Sequence, residues 1–114
     1  MLCVQKNGVC VQNDDVAAIL EKMLEADVIV LATPVYYYSM NGQMKTLIDR
    51  TLPRFYTNKI SDKEFYFIAT AAEEKPAIER TMDDLRGFTD CLPGAAIMTP
   101  SSAGSTRTKY SRPR

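Results

Sequence analysis

Three consecutive tyrosines, Tyr36, Tyr37 and Tyr38, stand just before a candidate helix start at Ser39 or Asn41. Free backbone N–H groups at a helix N-terminus, with the helix dipole behind them, favour electron-rich or anionic atoms. Aromatic side chains beside such donors suit a flat ring with polar edges. The same tyrosines could equally pack between layers, because pockets of this kind are partly aromatic. Histidine is absent, which removes His-based acid/base catalysis, Ser-His triads and His metal sites within this chain. Cys3, Cys10 and Cys91 form an odd set without a dense framework, so reduced thiols in a cytoplasmic protein are expected. Of these, Cys91 reads as a buried core residue. Lys45 could face a phosphate or a pyridine nucleotide, but a solvated helix face is the commoner setting for a lone lysine. Asp49 and Arg50 are assigned to helix-end and interface packing, since adjacent residues do not face one another.

The elements that must position these residues follow from periodicity. Asn13–Asp15 offers cap side chains, and Val16, Ile19, Leu20, Met23 and Leu24 recur at helical spacing, predicting a helix over 15–25. Residues 28–33 form a β-branched, apolar strand that suits a sheet interior buried on both faces, with Pro34 ending it. Residues 34–38 then read as a loop. Met40, Met44, Leu47, Ile48 and Leu52 predict the next helix, which Pro53 stops. Asn41-Gly42 could instead be a hairpin turn, but no alternating strand follows it. Residues 54–63 are a polar connection, and 64–71 a second buried strand. Pro76 opens a third helix with Ile78, Met82, Leu85 and Phe88 on its buried face; Pro93-Gly94 ends it. Residues 95–98 are a weak third strand. The tract 100–114 is basic, rich in Ser and Thr, and expected to be a mobile tail.

Helices alternating with strands predict an α/β domain with a parallel sheet and right-handed crossovers. Ligands of such sheets bind beyond the carboxyl ends of the strands, which selects loops 33–40, 71–76 and 99 onward. Apolar residues are 46% of the 114 and charged residues 25%, ordinary values for a folded domain. Lys+Arg and Asp+Glu are both 14, so no basic surplus points to nucleic acid or an anionic membrane. The longest apolar run, Val28–Ala32, is too short to span a bilayer.

The stretch from Ala26-Asp27 through the apolar strand, Pro34-Val35-Tyr36, Ser39, Gly42 and Lys45 to Asp49-Arg50 closely resembles the NADPH-dependent FMN reductase family, especially its iron–sulfur-flavoprotein-like branch. The resemblance covers most of residues 3–94. It implies a flavodoxin-like three-layer α/β/α fold with a parallel sheet, here incomplete at about three strands and three helices. It also implies FMN as cofactor, NAD(P)H as electron donor, and a homodimer or tetramer. By this resemblance Pro34, Val35, Tyr36, Tyr37, Tyr38, Ser39 and Met40 line the flavin ring and ribityl side. Thr70, Ala71 and Ala72 approach the ring's other edge. No residue is required as acid or base.

Relatives open with a strand, a Ser/Gly-rich phosphate loop, a helix and a second strand, and these have no counterpart in the sequence. Residues 1–99 are therefore expected to be a partial domain, cut at its start and altered at its end. Charge-assisted hydrogen bonds contribute roughly 1.5–3 kcal/mol each, and about 1.4 kcal/mol is tenfold in affinity. A flavin site without the phosphate loop is thus expected to be weak. Some relatives carry a four-cysteine cluster where this chain has only Cys3 and Cys10, so free thiols are expected there. The alternative reading is a cofactor-free fragment that acts only in self-association or partner binding through strand 28–33.

Overall fold

The computed structural model describes residues 12–53 and 60–98. Cys3, Cys10, most of the 54–63 connection and the 100–114 tail lie outside them.

Helix α1 spans Val16–Glu25 and buries Leu20 and Met23. Its start is served by Asp14 rather than by Asp15, whose side chain makes no cap bond: Asp14 Oδ1 accepts from Val16 N at 3.2 Å. Its end is served from a distance. Lys63 Nζ donates to Leu24 O at 2.7 Å and to Ala26 O at 2.6 Å, answering carbonyls that a helix C-terminus leaves without partners. Sequence reading placed Lys63 only in a polar connection.

Strand β1 spans Val28–Tyr36, β2 Ser39–Met40, β3 Glu64–Thr70 and β4 Ala96–Ile97, in the order β2-β1-β3-β4. β1 and β3 run parallel, with Ile29 beside Phe65, Leu31 beside Phe67 and Pro34 beside Thr70. β3 and β4 are also parallel, while β2 folds back antiparallel on β1. Helix α2 spans Gly42–Arg50 and α3 Lys75–Asp90.

Pro34 does not end β1, contrary to expectation; the strand continues to Tyr36. Among the described residues β1 is paired only with β3 along Val28–Thr33, and proline is tolerated at such an edge because its missing N–H can face away from the ladder. Residues 34–38 are accordingly not a loop but a strand end and a two-residue turn.

The core is one cluster. Leu20 and Met23 of α1, Ile29 and Leu31 of β1, Met40, Ile60, Phe65 of β3, Leu85 of α3, and Leu92 are buried together. Met44 and Ile48 of α2 pack against it. The three described helices thus meet the same sheet face, the face of the odd-numbered β1 residues. The even-numbered residues stay open: Val28 is 46% exposed, Val30 55% and Ile68 of β3 52%. The expected burial of 28–33 on both faces is not found, because no described helix covers that second face.

The buried line of α3 also differs from expectation. Ala77, Thr81, Leu85 and Thr89 are fully buried, whereas Met82 and Phe88 are partly so. Small residues let the helix approach the sheet closely. The two threonines stay satisfied inside it, Thr81 Oγ1 donating to Ala77 O at 2.9 Å and Thr89 Oγ1 to Arg86 O at 3.1 Å. Cys91 caps the helix and is exposed, not a core residue.

Gly94 holds a positive φ of 67°, and a Cβ there would run into Asp62, whose N–H donates to Pro93 O at 2.9 Å. Gly94→Ala is expected to cost at least about 1–2 kcal/mol through the left-handed backbone alone. Equilibrium urea unfolding checks it; an unchanged midpoint would refute the account.

Candidate functional site

The turn at Tyr37-Tyr38 crowns the carboxyl end of β1. Both residues have positive φ, 50° and 64°, the pattern of a type I′ hairpin turn. Such turns favour Asn-Gly, so a pair of tyrosines here is a strained choice. The hairpin closes with Val35 beside Met40 and Tyr36 beside Ser39. A hairpin is therefore present, at 37–38 instead of the Asn41-Gly42 dipeptide.

Asn41 is used otherwise. Its Oδ1 accepts from Met44 N at 2.9 Å as the α2 cap, and its own N–H donates to Thr33 Oγ1 at 3.0 Å. The Thr33 hydroxyl donates to Pro34 O at 2.8 Å. Thr33 is 4% exposed and ties the end of β1 to the start of α2. Sequence reading counted it only as a strand residue; a hydroxyl flanking Pro34 was the available signal.

The alternation of a strand divides the proposed ligand-lining residues. Tyr36, Tyr37 and Tyr38 are exposed, Tyr37 at 99%. Pro34 and Ser39 are half-buried, while Val35 and Met40 are buried towards the helices, Met40 within the core cluster. Thr70 ends β3 next to Pro34, followed by a half-buried Ala71 and an exposed Ala72. The structure so brings Pro34, the tyrosine turn, Ser39 and Thr70–Ala72 to one end of the sheet. Val35 and Met40 support the turn from beneath.

Two contacts join the turn to α3. Ser39 Oγ donates to Asp84 Oδ2 at 2.6 Å, and the Arg80 guanidinium lies 5.4 Å from the Tyr38 ring centroid. Below the hairpin, a cavity of about 440 Å³ opens between α2 and α3, lined mainly by apolar side chains such as Met40, Ile48, Leu52, Phe88 and Leu92. It lies on the helix side of the sheet and reaches the hairpin at Met40 and Asp84.

The charged groups around α2 are paired. Lys45 Nζ meets Asp49 Oδ1 at 2.5 Å with both side chains largely solvated, as a surface helix pair. Arg50 reaches past Asp49 to Asp14, Nη1 to Oδ2 at 2.5 Å and Nη2 to Oδ1 at 3.0 Å, a two-pronged bridge from α2 to the start of α1. The hydrogen bond from Arg50 lowers the Asp14 carboxyl pKa; desolvation opposes this and the Val16 N–H adds to it. A carboxylate lowered in the folded state stabilises above its unfolded value, about 3.9, and loses that contribution as pH falls through the lowered folded value. Asp14→Asn is therefore expected to reduce the melting temperature near pH 7 and to leave it unchanged under strongly acidic conditions. Paired thermal melts from neutral to acid pH check this, and a constant gap at every pH would contradict it.

Among the described residues no group of three or more Asp, Glu or Cys side chains is arranged to hold a metal ion. No described helix is long and apolar enough to cross a membrane.

A sheet in which β1, β3 and β4 run parallel, with a helix between successive members of that set, is the arrangement of the flavodoxin-like class. The chain belongs to the NADPH-dependent FMN reductase family, whose model matches residues 1–109. It is 49% identical over 51 residues to an iron–sulfur flavoprotein of Archaeoglobus fulgidus, covering 45% of this chain and 23% of that protein. It is 34% identical over 84 residues to an iron–sulfur flavoprotein of Methanocaldococcus jannaschii, covering 74% of this chain and 44% of that one. The chain thus spans less than half the length of either relative. The flavodoxin-like fold is matched by the WrbA-like flavodoxin of Agrobacterium tumefaciens, with a TM-score of 0.63 at 22% identity over 68% of this chain and 48% of that one.

Proposed function

We propose that this chain binds FMN at the carboxyl ends of β1 and β3 and serves an NAD(P)H-dependent oxidoreductase. The observation that carries the reading is the placement of the exposed Tyr36–Tyr38 turn beside Thr70–Ala72, across the Pro34–Thr70 register. Family membership supplies the cofactor and the electron donor.

The residues present fit the ring portion of the cofactor. Tyr36 and Tyr37 offer solvent-facing aromatic surface, Ser39 a polar side chain, and Ala71 and Ala72 small side chains that let a flat ring come close. FMN would supply the electron-accepting centre. The chain's own residues orient it: the tyrosines stack, Pro34 and Thr70 form the floor, and Val35 and Met40 brace the turn from the core.

Flavin fluorescence and thermal stability, followed together during an FMN titration, test the proposal. Saturable quenching with a raised melting temperature is expected; a ligand at 100 times its Kd adds about 2.7 kcal/mol of stability. Absence of quenching into the high micromolar range would overturn it.

A second reading rests on a different observation. The open face with Val28, Val30 and Ile68, and the β1 edge unpaired among the described residues along Val28–Thr33, are surfaces suited to self-association. In that case the chain acts as a cofactor-free association module, and sedimentation shows concentration-dependent dimers. A well-folded monomer at high concentration would count against it.

A further inference from the structure

We propose that Asp84 and Arg80 of α3 are positioning residues that clamp the Tyr37-Tyr38 turn and leave Ser39 as a hydrogen-bond acceptor towards a ring ligand. The ligand part of this proposal rests on the flavin reading above; the clamp itself does not.

The starting point is the strain. Two adjacent residues with Cβ atoms, both at positive φ, are disfavoured by local sterics and persist only where the surroundings over-determine them. The hairpin itself is short, with β2 only two residues long, and cannot alone enforce such a turn. The missing restraint comes from α3. Asp84 lies four positions after Arg80, a spacing that puts both on one helix face. That face meets the hairpin twice, at the Ser39 hydroxyl, 2.6 Å from Asp84 Oδ2, and at the Tyr38 ring, 5.4 Å from the Arg80 guanidinium carbon. The two contacts hold consecutive residues, one in the turn and one just after it.

The Ser39–Asp84 bond also sets polarity. A hydroxyl has one proton and two lone pairs. With the proton given to Asp84, Ser39 offers only lone pairs to a ligand. It then favours N–H or O–H groups, such as a ring imide or a sugar alcohol, and disfavours an anionic phosphate oxygen. The site therefore takes the ring and polyol portion of a flavin, and riboflavin is bound about as well as FMN.

The test uses the full chain, ¹⁵N-labelled. Asp84→Ala and Ser39→Ala, which remove the same bond from opposite sides, are each expected to lower amide order parameters at Tyr37–Met40 from about 0.85 to below about 0.6 while the melting temperature stays within 1–2 °C, roughly the scale of a weak surface contact. Arg80→Met loosens the same amides and Arg80→Lys restores part of the loss. Riboflavin and FMN quenching both weaken by roughly twofold in Asp84→Ala, the same weak-contact scale as the shift in melting temperature. Unchanged order parameters in both bond-removing variants overturn the clamp, as does a loss of order spread over the whole sheet with a falling melting temperature. Quenching of FMN but not riboflavin by the unmodified chain overturns the acceptor assignment. If the unmodified chain quenches neither flavin, the flavin reading fails, and the order parameters still decide the clamp.

Discussion

Replacing Phe65 by alanine is expected to remove about 3–5 kcal/mol of stability, the range for deleting a buried aromatic side chain. Phe65 is 0% exposed and is the second residue of β3, where its neighbours in the sheet are Ile29 of β1 and Ile97 of β4. Its ring meets Phe88 of α3 edge-on, with centroids 6.1 Å apart and planes at 83°. The edge-to-face arrangement adds about 0.5–1.5 kcal/mol beyond the area buried. Small domains hold only about 5–15 kcal/mol in total. This one leaves a sheet face with Val28, Val30 and Ile68 open, so its margin is expected at the low end. Phe65→Ala should therefore unfold most of the population at moderate temperature. Denaturant unfolding by circular dichroism, with Phe67→Ala as the partly buried comparison, measures it. A loss of less than 1 kcal/mol, below the range for such deletions, would show that Phe65 is not the centre of the core.

The second large effect runs in opposite directions for stability and binding. Changing Tyr37 to Asn and Tyr38 to Gly together gives the hairpin the residues that a type I′ turn prefers. Left-handed backbone costs an ordinary side chain roughly 1–2 kcal/mol, and both positions carry it, at φ of 50° and 64°. Tyr37 is 99% exposed, so little packing is lost with it. Tyr38 gives up its contact with Arg80, worth about 0.5–1 kcal/mol at an exposed site. The balance is a gain of about 1–2 kcal/mol, or roughly 4–8 °C per kcal/mol for a domain of this size. Flavin quenching should nevertheless weaken by about tenfold or more, because two stacking surfaces of about 0.5–1.5 kcal/mol each are gone. Higher stability with unchanged flavin affinity would remove the tyrosines from the site. Lower stability would mean that the turn is not strained.

Periodicity and punctuation determined much of this protein. Val16, Leu20 and Met23 define α1 because a helix repeats every 3.6 residues. Asn41 is legible as the α2 cap because its short side chain accepts from Met44 N, and Pro76 as a helix opener because its lost N–H would have had no partner. The parallel pairing of 28–34 with 64–70 follows from helices that lie between strands. The run from Ala26 to Arg50 that resembles the family marks the tyrosine segment as the place to look for a ligand.

What only the tertiary structure decided is where local preferences lose. Pro34 stays in β1 because, among the described residues, that strand is paired on one side only along Val28–Thr33, which no window of sequence around Pro34 contains. The hairpin forms at Tyr37-Tyr38, against turn propensity, because Asn41 is already committed to Thr33 and Met44 and because Asp84 and Arg80 reach the turn from more than 40 positions away. Val35 and Met40 turn inward while Tyr36 turns outward, since strand alternation assigns faces only once the register is set. Val28 and Val30 are as apolar as Ile29 and Leu31 yet stay exposed. Side-chain polarity records which faces can be buried, whereas burial itself needs a covering element, and the described helices all lie on the other side.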